Sequence, residues 1–470
     1  MKTLHLTNSW HERSGGIATF YRHMMQAADR RRHSMVLVIP GERDEIQQFS
    51  TCCRIYTVAA PASPLNREYR TMYPRDFLLQ GSKIQQILTE ERPDLVEICD
   101  KYSLVYLGPL LRLGLCRRLG FRPIVVGVTC ERMDDNFAAY VSRSWWGKTF
   151  ARFYMRHIYF PACDHHIAVS EHTAAELRDV STGHNVPRGV WIRPMGVDAE
   201  HFQPTKRNPE TRRNLLERCG NPYDATLLLY VGRLAPEKNL ELLIATMVEL
   251  EKTGPNFRLV LVGDGIAREA LERAAQGWIP GRALFIGHTG HREELAQIYA
   301  SCDVFVHPNP AEPFGIAPLE AMASGLALVA PDRGGVTFYA NDTNSYLVPP
   351  IPIAFAQAIL RARANGQERA TKVGAARETA KAFAWPKITE SFFHLYDELY
   401  DIASGRRSLD SAAPVFISSL PRKSHARCLS FAAGLAKGIF ATYAQAHQTG
   451  NAFGFHQASV GPELESARHQ

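Results

Sequence analysis

The sequence predicts an α/β protein made of two parallel, doubly wound halves, and three observations carry that expectation. The chain is 470 residues long, more than one hydrophobic core usually serves. Short apolar strands alternate with segments of helical period, as in parallel sheets covered by helices on both faces. Each half also opens with a strand, a glycine-bearing loop and a helix, the first unit of a Rossmann-like domain.

Composition narrows the function classes. Apart from the vicinal Cys52-Cys53, the nine cysteines are scattered with no paired metal spacing, which suits a reducing cytosol. No apolar h-region follows Met1, and no run approaches the ~18 apolar residues of a membrane span, so a cytoplasmic location is expected. A formal charge of +7 suits an acidic partner: a nucleotide diphosphate, or the inner face of an anionic membrane touched peripherally. No nucleic-acid-reading motif accompanies the charge, so nucleic acid is not among the expected partners.

In chain order, Thr3, Leu4, Leu6 and Thr7 read as the first strand. A polar loop ending in Gly15-Gly16 follows, then a helix with Ile17, Phe20, Tyr21 and Met24 on one face. The glycine pair fits a plain tight turn as well as a ligand loop at a strand's carboxyl end. Further strands are expected at 35–39, 54–58, 95–98, 124–128 and 166–169, with helical period over 75–91, 104–119 and 149–159. Arg143, Lys148, Arg152 and Arg156 stand among Trp145, Trp146, Phe150, Phe153 and Tyr154. That mixture fits an anionic bilayer surface, or a helix packing its aromatics on the sheet with a solvated basic edge. Asp134-Asp135 read as solvated loop residues rather than metal ligands, and His165-His166 as structural; no His or Cys spacing proposes zinc.

A Gly/Pro-bearing linker over 194–206 joins the halves. The second half opens with a strand at 226–231 and the loop Gly232-Arg233-Leu234-Ala235-Pro236-Glu237-Lys238-Asn239. A helix is expected from Pro236, with Leu240, Leu243, Ile244 and Met247 inward. Arg233 and Lys238 are two cations on one strand-to-helix loop, aimed at the cleft. A pyrophosphate needs such a planar fork and point charge, although two surface salt bridges would satisfy the spacing equally. Val262 to Arg268 is a truncated Gly-x-Gly-x-x-Gly, and no acidic residue stands about 20 positions on, so a dehydrogenase reading fails.

The most informative stretch is Glu312-Pro313-Phe314-Gly315-Ile316-Ala317-Pro318-Leu319-Glu320-Ala321-Met322-Ala323-Ser324-Gly325. It follows the apolar Val304-Phe305-Val306 and starts a helix near Ile316. Pro318 suits only the first turn of that helix, and Gly325 its left-handed C-cap. The N–H groups of Gly315 and Ile316 form an anion site at the helix N-terminus, and Gly315, lacking Cβ, allows close approach. With Glu312 before the helix and Glu320 one turn inside it, the geometry describes a sugar–diphosphate–ribose site. An ordinary strand–loop–helix unit with solvated glutamates has the same spacing.

Glu-Pro-Phe-Gly…Glu-Ala-Met-Ala-Ser-Gly, with seven residues between the two glutamates, resembles the signature of the retaining glycosyltransferases of family 4. Val-Gly-Arg-Leu…Glu-Lys-Asn around Arg233 and Lys238 matches the family as well, and Pro194 to Asp198 resembles its hinge. The resemblance covers roughly residues 1–404 and implies the GT-B arrangement, two Rossmann-like domains facing a central cleft. It implies an N-terminal acceptor domain over 1–193, the linker over 194–206, and a nucleotide-sugar domain over 207–384. A crossover helix at 385–404 and a partly disordered extension at 405–470 complete the expected organisation.

The implied reaction is metal-independent, needs no cofactor, and moves a hexose with retention from a nucleotide-diphosphate sugar to a glycan or lipid acceptor. In that frame Arg233, Lys238 and the helix N-terminus at Phe314, Gly315 and Ile316 hold the leaving diphosphate. Glu312 orients the hexose, Glu320 fixes the ribose, Leu319 beside it is a further substrate-binding candidate, and Gly15-Gly16 face the phosphates and acceptor. Gly287 and His288 resemble the base-recognition strand end. Thr129-Cys130-Glu131-Arg132-Met133-Asp134 resembles a loop of the mannosyltransferase branch, which favours GDP-mannose over UDP-glucose. Cys130 stands there in place of a histidine and cannot mimic an imidazole. A nucleotide-sugar epimerase or hydrolase of the same fold, and a catalytically degenerate nucleotide-sugar binder, stay open.

Overall fold

The computed structural model describes residues 1–406 apart from 11–14, 64–68, 80, 113, 115–119, 141–144, 182–187, 221–224 and 255, together with 416–418. Two sheets dominate it. The first contains β1 (Lys2–Thr7), β2 (Ser34–Gly41), β3 (Glu45–Gln48), β4 (Cys53–Ala59), β5 (Leu95–Cys99), β6 (Ile124–Thr129), β7 (His165–Ala168), β8 (Arg188–Ile192) and a late strand, Phe416–Ser418. The second contains β9 (Thr226–Val231), β10 (Phe257–Val262), β11 (Ala283–Gly287), β12 (Val304–Val306), β13 (Ala327–Pro331) and β14 (Tyr346–Val348), after which Phe416–Ser418 becomes β15.

The first sheet has the order β15-β8-β7-β6-β5-β1-β2-β4-β3, and only its two edge strands, β15 and β3, run antiparallel. The second, β11-β10-β9-β12-β13-β14, is parallel throughout. Each sheet reverses winding at one place, between β1 and β5 in the first and between β9 and β12 in the second. Ligands of open α/β sheets bind at the carboxyl ends of the strands beside such a reversal. The near-continuous apolar runs of β2, β6, β10 and β13 follow from burial on both faces.

Several local expectations change. The 75–91 segment splits into helices Arg75–Leu78 and Lys83–Glu91. Pro236 opens only a 3-10 turn, Pro236–Lys238; Asn239 then turns left-handed and the α-helix begins at Glu241. The 149–159 helix is Trp145–Tyr154 followed by a π-helical turn, Met155–Tyr159. Asp134 and Asp135 are not solvated loop residues but open the Met133–Tyr140 helix, and both pair with Arg132. The amphipathic segment 428–444 and the polar tail 450–470 lie outside the described residues.

Trp385–Ala403, a 19-residue helix, lies across the first half although it follows the second sheet in sequence. Its Phe392 packs on Phe20, and Tyr396 donates to Glu97 on β5. Glu97 is fully buried and also bonds His5 Nδ1 at 2.9 Å and Tyr21 Oη at 3.0 Å. Where the chain passes between the halves, Val197 N donates to Phe383 O (2.9 Å) and Trp385 N to Val197 O (3.1 Å). Gly196 is forced there, because a Cβ would lie 2.5 Å from the Trp385 ring.

Candidate active site between the two sheets

The loop after β12 and the loop after β9 meet at the second sheet's winding reversal. They bring Lys238 Nζ within 2.9 Å of Glu312 Oε2, and Asn309 Nδ2 donates to the same oxygen at 3.1 Å. Burial works to raise the Glu312 pKa, but Lys238, with His307 and Asn309, outweighs it and holds the carboxyl at about 2. His307, itself buried with Nε2 4.0 Å from Glu312, is driven down to about 4 by burial and stays neutral. Arg233 does not join this cluster: it is more than half exposed and pairs with Glu237 at 3.2 Å.

Helix Ile316–Ala323 starts at Gly315, whose φ of +88° only glycine adopts without strain. A Cβ there would also lie 3.1 Å from Tyr339 Oη, which donates to Gly315 O. Gly335 crosses the same loop so closely that a Cβ would sit 2.0 Å from Pro313 O. Phe314 is not exposed to the cleft; it is buried against Tyr339 and Phe383. Leu319 is likewise fully buried and anchors the helix.

Glu320 sits one turn in, with Tyr299 Oη donating to Oε2 at 2.8 Å. Burial raises its pKa to about 7 against the pull of that hydrogen bond and of Arg292. Two carboxyls eight residues apart are thus driven in opposite directions, each by roughly 3 kcal/mol relative to a free glutamate. Glu312 is a fixed anion, whereas Glu320 titrates near neutrality.

From the first half, a Cβ on Gly16 would lie 3.3 Å from Ile316 Cδ1, so the glycine loop after β1 faces this helix N-terminus. Among the described residues, nothing lies within 4 Å of a Cβ built on Gly15. The loop after β6 lines the same side. Cys130 Sγ lies 3.8 Å from Cys99 Sγ, and that contact together with burial pushes its pKa well up, so it remains a neutral thiol. Glu131 accepts from Asn136 Nδ2 at 2.8 Å. Arg132 is fully engaged, donating to both oxygens of Asp134 and to His172 O. Gly287 ends β11 with its carbonyl bonded to Gly263 N at 2.8 Å, and His288 beside it is exposed. Beneath the β6 loop, Lys101 and Glu176 form a buried pair at 3.0 Å; Lys101 also holds Glu131 O, and Glu176 accepts Met133 N–H.

The model for glycosyl transferases group 1 matches residues 212–379, and that for Glycosyltransferase Family 4 matches residues 14–201. A GDP-mannose-dependent alpha-mannosyltransferase of Mycobacterium tuberculosis is 32% identical over 333 residues, 68% of this chain and 76% of the relative. The chain belongs to the family 4 glycosyltransferases. A GDP-mannose-dependent alpha-(1-6)-phosphatidylinositol dimannoside mannosyltransferase of the same organism is 28% identical to this glycosyltransferase over 400 residues, 83% of the chain and 94% of the relative. Among solved structures, sucrose-phosphate synthase from Thermosynechococcus elongatus superposes with a TM-score of 0.66 at 23% identity, covering 85% of the glycosyltransferase and 99% of that chain. Anabaena HepE in complex with UDP-glucose gives 0.62 at 19%, covering 85% and 100%. These two likenesses speak for the GT-B fold alone. No helix among the described residues is long and apolar enough to cross a membrane.

Proposed function

We propose that this glycosyltransferase moves mannose from GDP-mannose, with retention and without a metal, to a glycan or lipid-linked acceptor. The Lys238–Glu312 pair at the winding reversal carries the reading. A nucleotide-diphosphate sugar brings an anion for the ammonium and hydroxyls for the carboxylate, so both partners exchange one satisfied contact for another. Lys238 and the N–H groups of Gly315 and Ile316 stabilise charge on the departing diphosphate, the largest expected catalytic contribution. Arg233, exposed at the rim, swings from Glu237 to the phosphates. Glu312 orients the hexose, and Glu320 accepts the ribose hydroxyls. The mannosyl donor is supported by two relatives that are GDP-mannose-dependent.

The test is a calorimetric titration of GDP-mannose, UDP-glucose, UDP-GlcNAc and ADP-glucose without added metal, followed by GDP release with phosphatidylinositol dimannoside as acceptor. GDP-mannose is expected to bind tightest; equal or absent binding by all four sinks the reading. Because an ionised Glu320 accepts hydroxyl hydrogens better than a neutral one, affinity should tighten by up to about tenfold from pH 6 to pH 8. Glu320→Gln should abolish that pH dependence.

We also infer peripheral contact with an anionic bilayer through helix Trp145–Tyr154. Trp146 (66% exposed) and Phe153 (48%) lie two turns apart on one side, and the same helix also exposes Lys148 and Arg152 on its flanks. Trp146→Glu/Phe153→Glu should release the protein from phosphatidylglycerol vesicles in a sedimentation assay, and undiminished binding would remove this face from consideration.

A further inference from the structure

Three backbone carbonyls between Glu312 and Gly315 accept hydrogen bonds from outside the loop, and one of the donors lies in the opposite half. Gly335 N donates to Glu312 O at 2.6 Å, and Tyr339 Oη to Gly315 O at 2.5 Å; both donors belong to the second half. Between them, Ser170 Oγ donates to Pro313 O at 2.5 Å. Ser170 follows β7 in the first sheet and is fully buried.

The local structure around Ser170 fixes the direction of its proton. It precedes the helix Glu171–Ser181, and its Oγ accepts Thr173 N–H at 3.2 Å while Thr173 Oγ1 accepts Ser170 N–H at 3.1 Å. Thr173 directs its own hydroxyl proton at Ser170 O. A serine hydroxyl has one proton and two lone pairs. With the acceptor side occupied by the helix cap, the proton is left for Pro313 O. The carbonyl that receives it belongs to the residue directly after Glu312.

We propose that Ser170 is a positioning residue for sugar transfer, fixing the Glu312 carboxylate only when the two halves are apposed. The inference rests on the reading that Glu312 orients the donor hexose. Gly335 and Tyr339 hold the loop in any arrangement of the halves, because they move with it. Ser170 cannot: its bond to Pro313 is made as the cleft closes and lost as it opens. The final setting of Glu312 is therefore coupled to the approach of the half that carries Gly15-Gly16 and the β6 loop. A contact of this kind contributes to turnover more than to donor binding.

Ser170→Gly separates the two duties of the side chain, since glycine is tolerated at a helix N-cap but donates no side-chain proton. Ser170→Thr keeps both. With GDP-mannose as donor and phosphatidylinositol dimannoside as acceptor, Ser170→Gly is expected to lower kcat about tenfold, the size of one hydrogen bond. Its GDP-mannose Kd should stay within about twofold of wild type, and Ser170→Thr should restore kcat. Wild-type kcat in Ser170→Gly overturns the proposal, as does a Kd that weakens in step with kcat. Should Ser170→Gly not fold, Ser170→Cys keeps the volume with a weaker donor. A reduced kcat at unchanged Kd then supports the proposal, and an unchanged kcat overturns it. Glu312→Ala, run alongside, isolates the underlying reading. If it retains turnover, the role of Glu312 fails; if it loses turnover while Ser170→Gly does not, only the coupling fails.

Discussion

Lys238→Met is expected to lower kcat by about 100- to 1,000-fold, the range seen when a fixed electrostatic donor is removed from a leaving group. Methionine keeps the length and apolar stem of lysine, so the loop over Pro236–Lys238 retains its packing while the charge disappears. A second signature follows from the 2.9 Å pair with Glu312. Burial raises the Glu312 pKa and Lys238 is the largest influence bringing it down to about 2. Without the ammonium the burial effect prevails and the pKa moves upward. Ionised Glu312 is then lost as pH falls through the raised value, and kcat at saturating donor acquires an acid limb absent from wild type. A pH–rate profile of the variant reads both effects. Turnover within threefold of wild type, with only reduced stability, would mean that the pair serves the fold and not the diphosphate.

Glu97→Ala should have the largest effect on stability, about 3–5 kcal/mol in urea unfolding, because a buried network loses its only carboxylate. His5, Tyr21 and Tyr396 then point donors at a cavity without an acceptor. Tyr396→Phe removes one donor and should cost less, about 1.5–3 kcal/mol. The same group sets an acid sensitivity. Burial raises its pKa, but His5 and the two tyrosines outweigh that and leave it lowered. Its stabilisation is therefore complete above the free-glutamate value near 4.5 and fades as pH falls toward the lowered folded value. Glu97→Gln should show a flatter decline below pH 4.5; an unchanged slope would assign the acid sensitivity to other carboxyls.

Strands with apolar runs were legible because burial on both faces leaves an unmistakable composition, as in Thr226–Val231 and Val304–Val306. β3 was not: its four residues are all exposed, so Glu45–Gln48 lacks any buried pattern to read. β15 escaped for a different reason, since its pairing with β8 is made over more than 200 residues of sequence and leaves no local sign. In the site, Gly325 announced itself through the left-handed backbone it requires, whereas Gly315 stood out as a place of close approach and its positive φ was not legible. The partnership of Lys238 with Glu312 did not, although each residue stood out alone. Lys101, Glu176, Ser170, His307 and Tyr299 carried no signal at all, because each acquires its meaning from a neighbour that only the sheet topology supplies. Tyr299 is a case in point: in the sequence it is one more aromatic on a helix, and in space it holds Glu320.

The two passages of chain between the halves are tied to one another by Val197 N to Phe383 O and Trp385 N to Val197 O. Two bonded segments behave as a flat ribbon, soft to bending across its face and stiff to shear and twist. Any movement that parts Ser170 from Pro313 has to be taken up in this bonded pair of segments or in the chain beside it. Gly196 keeps that pair closed up, since any side chain there would run into the Trp385 ring.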